Sequence, residues 1–366
     1  MNCVRAAWLG LLTGALACSP AHAIYNMSAF YSPSAWRPLP TTDAPSPRFG
    51  HVAVWSGTYF VVWGGRDPVG PTVHNDGARF ATTAVWDEGT DMIVWGGLDS
   101  SGSAKLNTGA KYNVGTNTWN AVTTTSAPTA RDGHAAVFCD GKMVIWGGTD
   151  TTSVAVNTGG LYDISLGTWT ATNPSGPPPG ARNKPTAICA TFSGYAHAIF
   201  WGGYGGGARY NTGGRLRIGT NAWTSTSTTG APSERSGHSA VWTGTEMIVW
   251  GGDDNGTPYY NDGGRYNPVA DSWTTMSLVG APAPRTGHVA VWTGTEMIIW
   301  GGFDGTTYFR DGAAYNPTNN TWRPLNLKGV PEGRLDVPAA WTPEGLMLFG
   351  GQVSGMAVGG GALAKP

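Results

Sequence analysis

Beyond residue 35, apolar and polar positions alternate in short runs that stop at Gly, Asn, Asp or Pro. One complete unit reads GHSAVWTG (237–244), TEMIVWGG (245–252), GGRYNP (263–268) and DSWTTM (271–276). Each segment is rich in β-branched and aromatic residues and bounded by turn formers, the pattern of a strand. The four strands, A to D in chain order, follow one another as a meander. One such sheet cannot bury both of its faces, but stacked copies make a continuous core.

The unit recurs. An aromatic followed by two glycines ends strand B at 63–65, 95–97, 146–148, 201–203, 250–252, 300–302 and 349–351, and these doublets number units 1 to 7. Their spacings run from 49 to 55 residues, except for a first spacing of 32. Strand C carries Tyr112, Tyr162, Tyr266 and Tyr315. Every tryptophan beyond the leader falls in strand A (as Trp242 and Trp292), strand B (as Trp250) or strand D (as Trp273). A ring of that size buries ~150–250 Å², so the tryptophans are assigned to the core.

These residues resemble the kelch family of β-propellers, from Trp36 to the C-terminus, with a period close to the family's ~50 residues. The resemblance implies a disc with strand A innermost and strand D at the rim. The first strand-D signature, AWRPLP (35–40), has no A, B or C before it, and the last unit stops before any D. The N-terminal segment is therefore expected to close the ring as strand D of unit 7, which removes free sheet edges.

One stretch breaks the pattern. HNDGARFATTAVW (74–86) begins as strand C and ends as strand A, about 20 residues shorter than the equivalent span in unit 5. What is missing is a strand D with its following loop. A five- or six-residue strand spans ~17–20 Å, which the steps from Phe80 to Ala84 cannot retrace. The expected fold is thus an all-β, kelch-type β-propeller with seven blade positions. Blade 1 is incomplete, an A–B hairpin with 66–80 as a surface excursion. The alternative is a six-bladed ring with a displaced hairpin.

Composition narrows the class. Only 12% of residues are charged, the net charge is −1 and no basic stripe is visible, which excludes nucleic acid as a partner. MNCVR, AAWLGLLTGALA and AHA (21–23) have the three parts of an export signal. The apolar run is too short to span a bilayer. The expectation is a signal peptide at 1–23, a lead-in at 24–34 and a single propeller domain at 35–366. The mature protein is then exported, periplasmic or extracellular, without a membrane span, and monomeric. Cys139 and Cys189 lie in apolar strand-like runs and are expected as unpaired core thiols. A bridge would require Cα atoms ~4.4–6.8 Å apart.

The meander sorts the loops by face. A–B and C–D turns share one face, while the more variable B–C and D–A loops share the other, where binding usually lives. Four Arg-x-Gly-His copies (Arg48/His51, Arg131/His134, Arg235/His238, Arg285/His288) read as ties from one blade to the next rather than as a metal ring. Zn²⁺ takes about four ligands at ~2.0–2.1 Å, closer than ring-related positions allow. Units 4 and 7 depart, with RNKP (182–185) and RLDV (334–337). Asp67, Asp99, Asp150, Asp254 and Asp304 follow the doublets and read as turn residues.

Aromatics outside the grid gather in the B–C regions of units 4 to 6: Tyr204 and Tyr210, Tyr259 and Tyr260, Tyr308 and Phe309. With Arg209, Asp254 and Asp304 they make the candidate ligand site, a strip suited to an extended peptide or a sugar, since rigid tyrosines bind at low entropic cost. The alternative is that some belong to strand C. No catalytic residue, metal or cofactor is assigned. Galactose oxidase resembles the chain in its propeller, but the Tyr-His pair of its copper site is absent. Glu234 and Glu332 are the only well-placed glutamates for the acid–base work of a sialic-acid mutarotase, another kelch-type enzyme. GGYGGG (202–207) lacks the Lys-Ser/Thr and helix of a phosphate loop. The expected function is an exported binding module for a protein or glycan ligand on the B–C/D–A face. The alternative is a sugar-modifying enzyme, and a third possibility is a recombined chain that keeps the fold without a function.

Overall fold

The computed structural model describes residues 24–26, 36–39, 44–55, 59–66, 74, 76–81, 92–99, 102–113, 115–173 and 176–365. The expected signal peptide, Asp67 and Trp86 lie outside them. The described residues form strands and turns only. The architecture is an all-β propeller of stacked four-stranded sheets. In unit 5, Ser239–Trp242, Met247–Trp250, Gly263–Asn267 and Ser272–Thr275 pair in that order, each antiparallel to the next. Units 3, 4 and 6 repeat this arrangement. Strand B is central and buried along its length, whereas strand D buries only its tryptophan.

The buried apolar clusters each lie between two successive units, and one of them joins unit 7 to unit 1 through Leu39, Phe60, Val62, Met347, Phe349 and Leu363. At most junctions the strand-B tryptophan packs on the strand-D tryptophan of the next unit. Trp146–Trp223, Trp201–Trp273 and Trp250–Trp322 stand 5.4–5.6 Å apart between ring centroids. The strand-D indole also donates Nε1–H to the preceding D–A loop, as Trp273 does to Ser227 O at 2.8 Å.

The N-terminal closure follows the same rules. Arg37 and Pro38 pair with Leu363 and Ala362 as the fourth strand of unit 7. Trp36 packs on Trp300 at 5.3 Å and donates to Asn326 O at 3.1 Å, the contacts that a covalently continuous strand D makes elsewhere.

Six sheets are four-stranded, which agrees with the six-bladed alternative. Unit 2 has three strands, Met92–Trp95, Gly109–Asn113 and Thr118–Val122. Its innermost position would fall on residues 82–91, which lie outside the described ones, and the seven-position ring is not established. The A–B hairpin expected for unit 1 is corrected. Gly77–Ala81 pairs antiparallel with Tyr59–Trp63 as a full strand C, and Ile24–Asn26 pairs parallel with it on the outer side. The missing strand D does not leave strand C without a partner, because a segment more than fifty residues earlier takes the outer edge in the opposite sense.

The unpaired-thiol expectation is also corrected. Cys139 and Cys189 form a disulfide between the innermost strands of units 3 and 4, with Cα atoms 5.3 Å apart. The bridge closes a loop of sequence separation 50. Replacing both cysteines by serine is expected to cost about 2–4 kcal/mol, read as a lower urea midpoint with a steeper slope, because the unfolded chain without its cross-link exposes more surface. The tryptophans of strand A pack against the buried apolar clusters but are only half-buried, as Trp55, Trp242, Trp292 and Trp341 are, since each lies at the end of its strand beside the A–B turn.

Candidate functional site

The B–C and D–A loops are built around buried arginines. Arg48, Arg131, Arg182, Arg235, Arg285 and Arg334 are each at most 6% exposed although they lie in loops. Each donates Nη1–H to the carbonyl of the first doublet glycine of its own unit, as Arg235 does to Gly251 O at 3.0 Å. Its own carbonyl accepts the N–H of the second doublet glycine of the preceding unit, as Arg235 O accepts from Gly203 N at 3.0 Å. One residue therefore fastens two units, its side chain within its own and its backbone to the one before. Units 4 and 7 keep the arginine but replace both the glycine and the histidine of the motif, with Lys184 and Pro185 in one and Asp336 and Val337 in the other.

The doublet must be glycine for the same reason. Gly251 and Gly252 have φ of 68° and 96°, and a Cβ on Gly252 would stand 2.5 Å from Ser236 O. The histidines reach into the preceding unit. His51 lies 3.0 Å from Phe349 O, His238 lies 2.9 Å from Thr186 Oγ1, and His288 lies 2.9 Å from Ser239 Oγ. Burial lowers the pKa of His51 and His134 to about 4 and of His238 and His288 to about 3, with the neighbouring arginines adding to the effect. They are neutral structural imidazoles, each committed to one junction.

The nine candidate residues separate into two sets. Tyr210, Tyr260 and Phe309 cover the buried guanidinium groups, with Arg182, Arg235 and Arg285 at 4.2, 4.3 and 3.9 Å from the ring centroids. Through these contacts they hold the loops, while each ring stays partly exposed. Asp304 keeps the turn role expected for the aspartates, Oδ1 accepting from Thr306 N at 2.9 Å and Thr307 N at 2.7 Å. Asp99 and Asp150 accept in the same way. At the Asp254 turn that carboxylate role falls to Asp253, whose Oδ1 accepts from Gly256 N at 2.9 Å.

The second set makes no contact with the buried arginines. Arg209 stacks on Tyr204 at 4.8 Å and donates to Asn255 Oδ1 of the next unit at 2.9 Å. Tyr259 reaches across to unit 6, where a side chain on Gly305 would meet its ring at 3.1 Å. Loss of solvent, and then the carboxylates of Asp253 and Asp304, raise the Tyr259 pKa. Tyr308 stacks on Phe303 at 4.5 Å. Tyr204, Tyr259 and Tyr308, none of them fully buried, thus mark successive steps of a patch over units 4 to 6. Asn255, Phe303 and Asp253 were not anticipated. Phe303 and Asp253 share a signal, since both directly follow a doublet and pair with the D–A loop of their own unit.

Other candidates are dispersed. Glu234 and Glu332 are exposed on separate D–A loops. The GGYGGG run forms a small hairpin, Tyr204–Gly205 against Ala208–Arg209. Among the described residues no helix is long and apolar enough to cross a membrane.

Comparison with known families agrees with the geometry. The KLHDC2/KLHL20/DRC7 Kelch-repeats domain matches residues 69–197 and 189–359. No curated protein matches the chain significantly.

Proposed function

Because this chain belongs to the kelch-repeat propellers, which generally mediate protein interactions, we propose that it is a protein-binding module whose partner docks on the B–C/D–A face over units 4 to 6. The observation that carries the reading is the division of labour among adjacent aromatics. Tyr210, Tyr260 and Phe309 are consumed by the arginines, while Tyr204, Tyr259 and Tyr308 stand outside that requirement on consecutive blades. Aromatic anchors beside a guanidinium and acidic groups have the composition of a binding hot spot. The rigid loops beneath them lower the entropic cost of docking.

The proposed site of action lies outside the cytoplasm. The export-signal pattern of residues 1–23 supports this, as does the Cys139–Cys189 disulfide, a bond that persists in oxidising compartments.

A photo-crosslinking amino acid placed at Tyr259 or Tyr308 is expected to capture one discrete partner from an extract of the producing cell's envelope. The same group at Leu166, exposed in the C–D turn of unit 3 on the opposite face, is expected to capture none. The Tyr259→Ala/Tyr308→Ala variant should lose the partner while remaining folded by circular dichroism, each anchor being worth about 2 kcal/mol or more. Equal capture from both faces, or capture unaffected by the double variant, would reject this docking face.

A further inference from the structure

On the opposite face, the A–B turns of units 5 and 6 and the C–D turn of unit 6 border an open cleft of ≈ 490 Å³. Three side chains define its chemistry. Glu246, directly before strand B of unit 5, and Arg265 of its strand C have Oε2 and Nη1 3.4 Å apart. Trp292, half-buried, comes from strand A of unit 6. Arg265 also donates to Pro317 O at 2.6 Å, which ties the C–D turn of unit 6 to the wall of unit 5. The threonine side chains of the A–B turns and the amide of Asn319 complete the rim.

Among the described residues this combination occurs at one junction. In unit 4, His197 takes the register position of Glu246. In unit 6, Ala314 takes that of Arg265. The carboxylate–guanidinium pairing is therefore particular to this junction, while the bond from the arginine to the next C–D turn belongs to the repeat, Arg215 donating to Pro268 O at 2.8 Å in unit 4.

The charges of Glu246 and Arg265 offset each other, so the cleft does not select for an ion. A flat indole beside a carboxylate, a guanidinium, hydroxyls and an amide instead selects a neutral ligand with one apolar C–H face and several hydroxyls. A pyranose has both. We propose that the cleft is a binding site for a neutral sugar of one or two rings, stacked on Trp292 and held through its hydroxyls by Glu246 and Arg265. The volume lies within the ~300–1,000 Å³ of small-molecule sites. This site is separate from the protein-docking patch and does not depend on it.

The test is calorimetric titration and saturation-transfer NMR of the purified protein with methyl glucoside, methyl galactoside, maltose, cellobiose and chitobiose, beside glucuronate. At least one neutral sugar is expected to bind saturably, with transfer strongest to the C–H protons of one ring face. Trp292→Ala and the near-isosteric Glu246→Gln should each weaken binding roughly tenfold or more. Tyr259→Ala/Tyr308→Ala should leave it unchanged. The proposal is overturned if no neutral sugar binds, if glucuronate binds best, or if binding survives both cleft variants in folded protein.

Discussion

Lowering the pH from 7 to 4.5 is expected to cost this protein several kcal/mol of stability, most of it before the carboxylates titrate. His51, His134, His238 and His288 have pKa values lowered to between about 3 and about 4 in the fold, against 6.5 when unfolded. The depressed folded value sets the sign: above about 6.5 both states are neutral and the contribution is fully present. As the pH falls from 6.5 toward 4, the unfolded chain takes up protons that the folded chain refuses. Stability therefore drops by up to about 1.4 kcal/mol per pH unit for each histidine. Several histidines acting together rival the ~5–15 kcal/mol of an ordinary domain. Below about 4, carboxylates held low by hydrogen bonds, such as Asp304, add a further loss. Urea unfolding at half-unit steps from pH 7.5 to 4.5 checks the window. His238→Gln/His288→Gln should flatten the profile in that window, and a flat wild-type profile would sink the argument.

The propeller was legible because its signals are local. A doublet of left-handed glycines can hardly be replaced, a strand alternates in step with its two faces, and both recur at a fixed spacing. Even the N-terminal closure could be read, since a solitary strand D at one end matched a missing one at the other. Features requiring two distant segments were hidden. The parallel pairing of Ile24–Asn26 with Gly77–Ala81 has no mark in either segment. The disulfide depends on the register of two neighbouring inner strands, which the spacing of Cys139 and Cys189 does not reveal.

The candidate site was half legible, and the half that was missed has a simple cause. Consecutive residues in an extended segment point to opposite sides. In the pair Tyr259–Tyr260, one ring reaches toward the next blade and the other lies on Arg235. The sequence marks both as aromatic and neither as inner or outer. An arginine in every D–A loop was the available clue, because a cation buried at each blade needs something to cover it.

That buried arginine carries the other large effect. Arg235→Ala is expected to destabilise the protein by about 3–5 kcal/mol. The guanidinium donates to Ser233 O at 2.9 Å and to Gly251 O and Asp262 O at 3.0 and 3.2 Å, and pairs with the Asp262 carboxylate at 2.9 Å. Alanine removes every donor at once, leaves those carbonyls short of partners and opens a cavity under Tyr260. Lysine is not a rescue, because a single ammonium cannot reproduce the planar fork or its stacking. Arg235→Lys should retain less than half of the lost stability. Two comparisons separate this account from a general sensitivity to lost charge. Arg334 makes the same bond to Gly350 O, but its other hydrogen bond is to Glu332 O alone, so Arg334→Ala should cost less than Arg235→Ala. Arg323 is nearly half exposed and pairs with Glu296 at 2.6 Å, so Arg323→Ala should cost under about 1 kcal/mol. Urea denaturation of the four variants ranks them directly, and equal losses for Arg235→Ala and Arg323→Ala would show that the buried fork is not what fastens the blades.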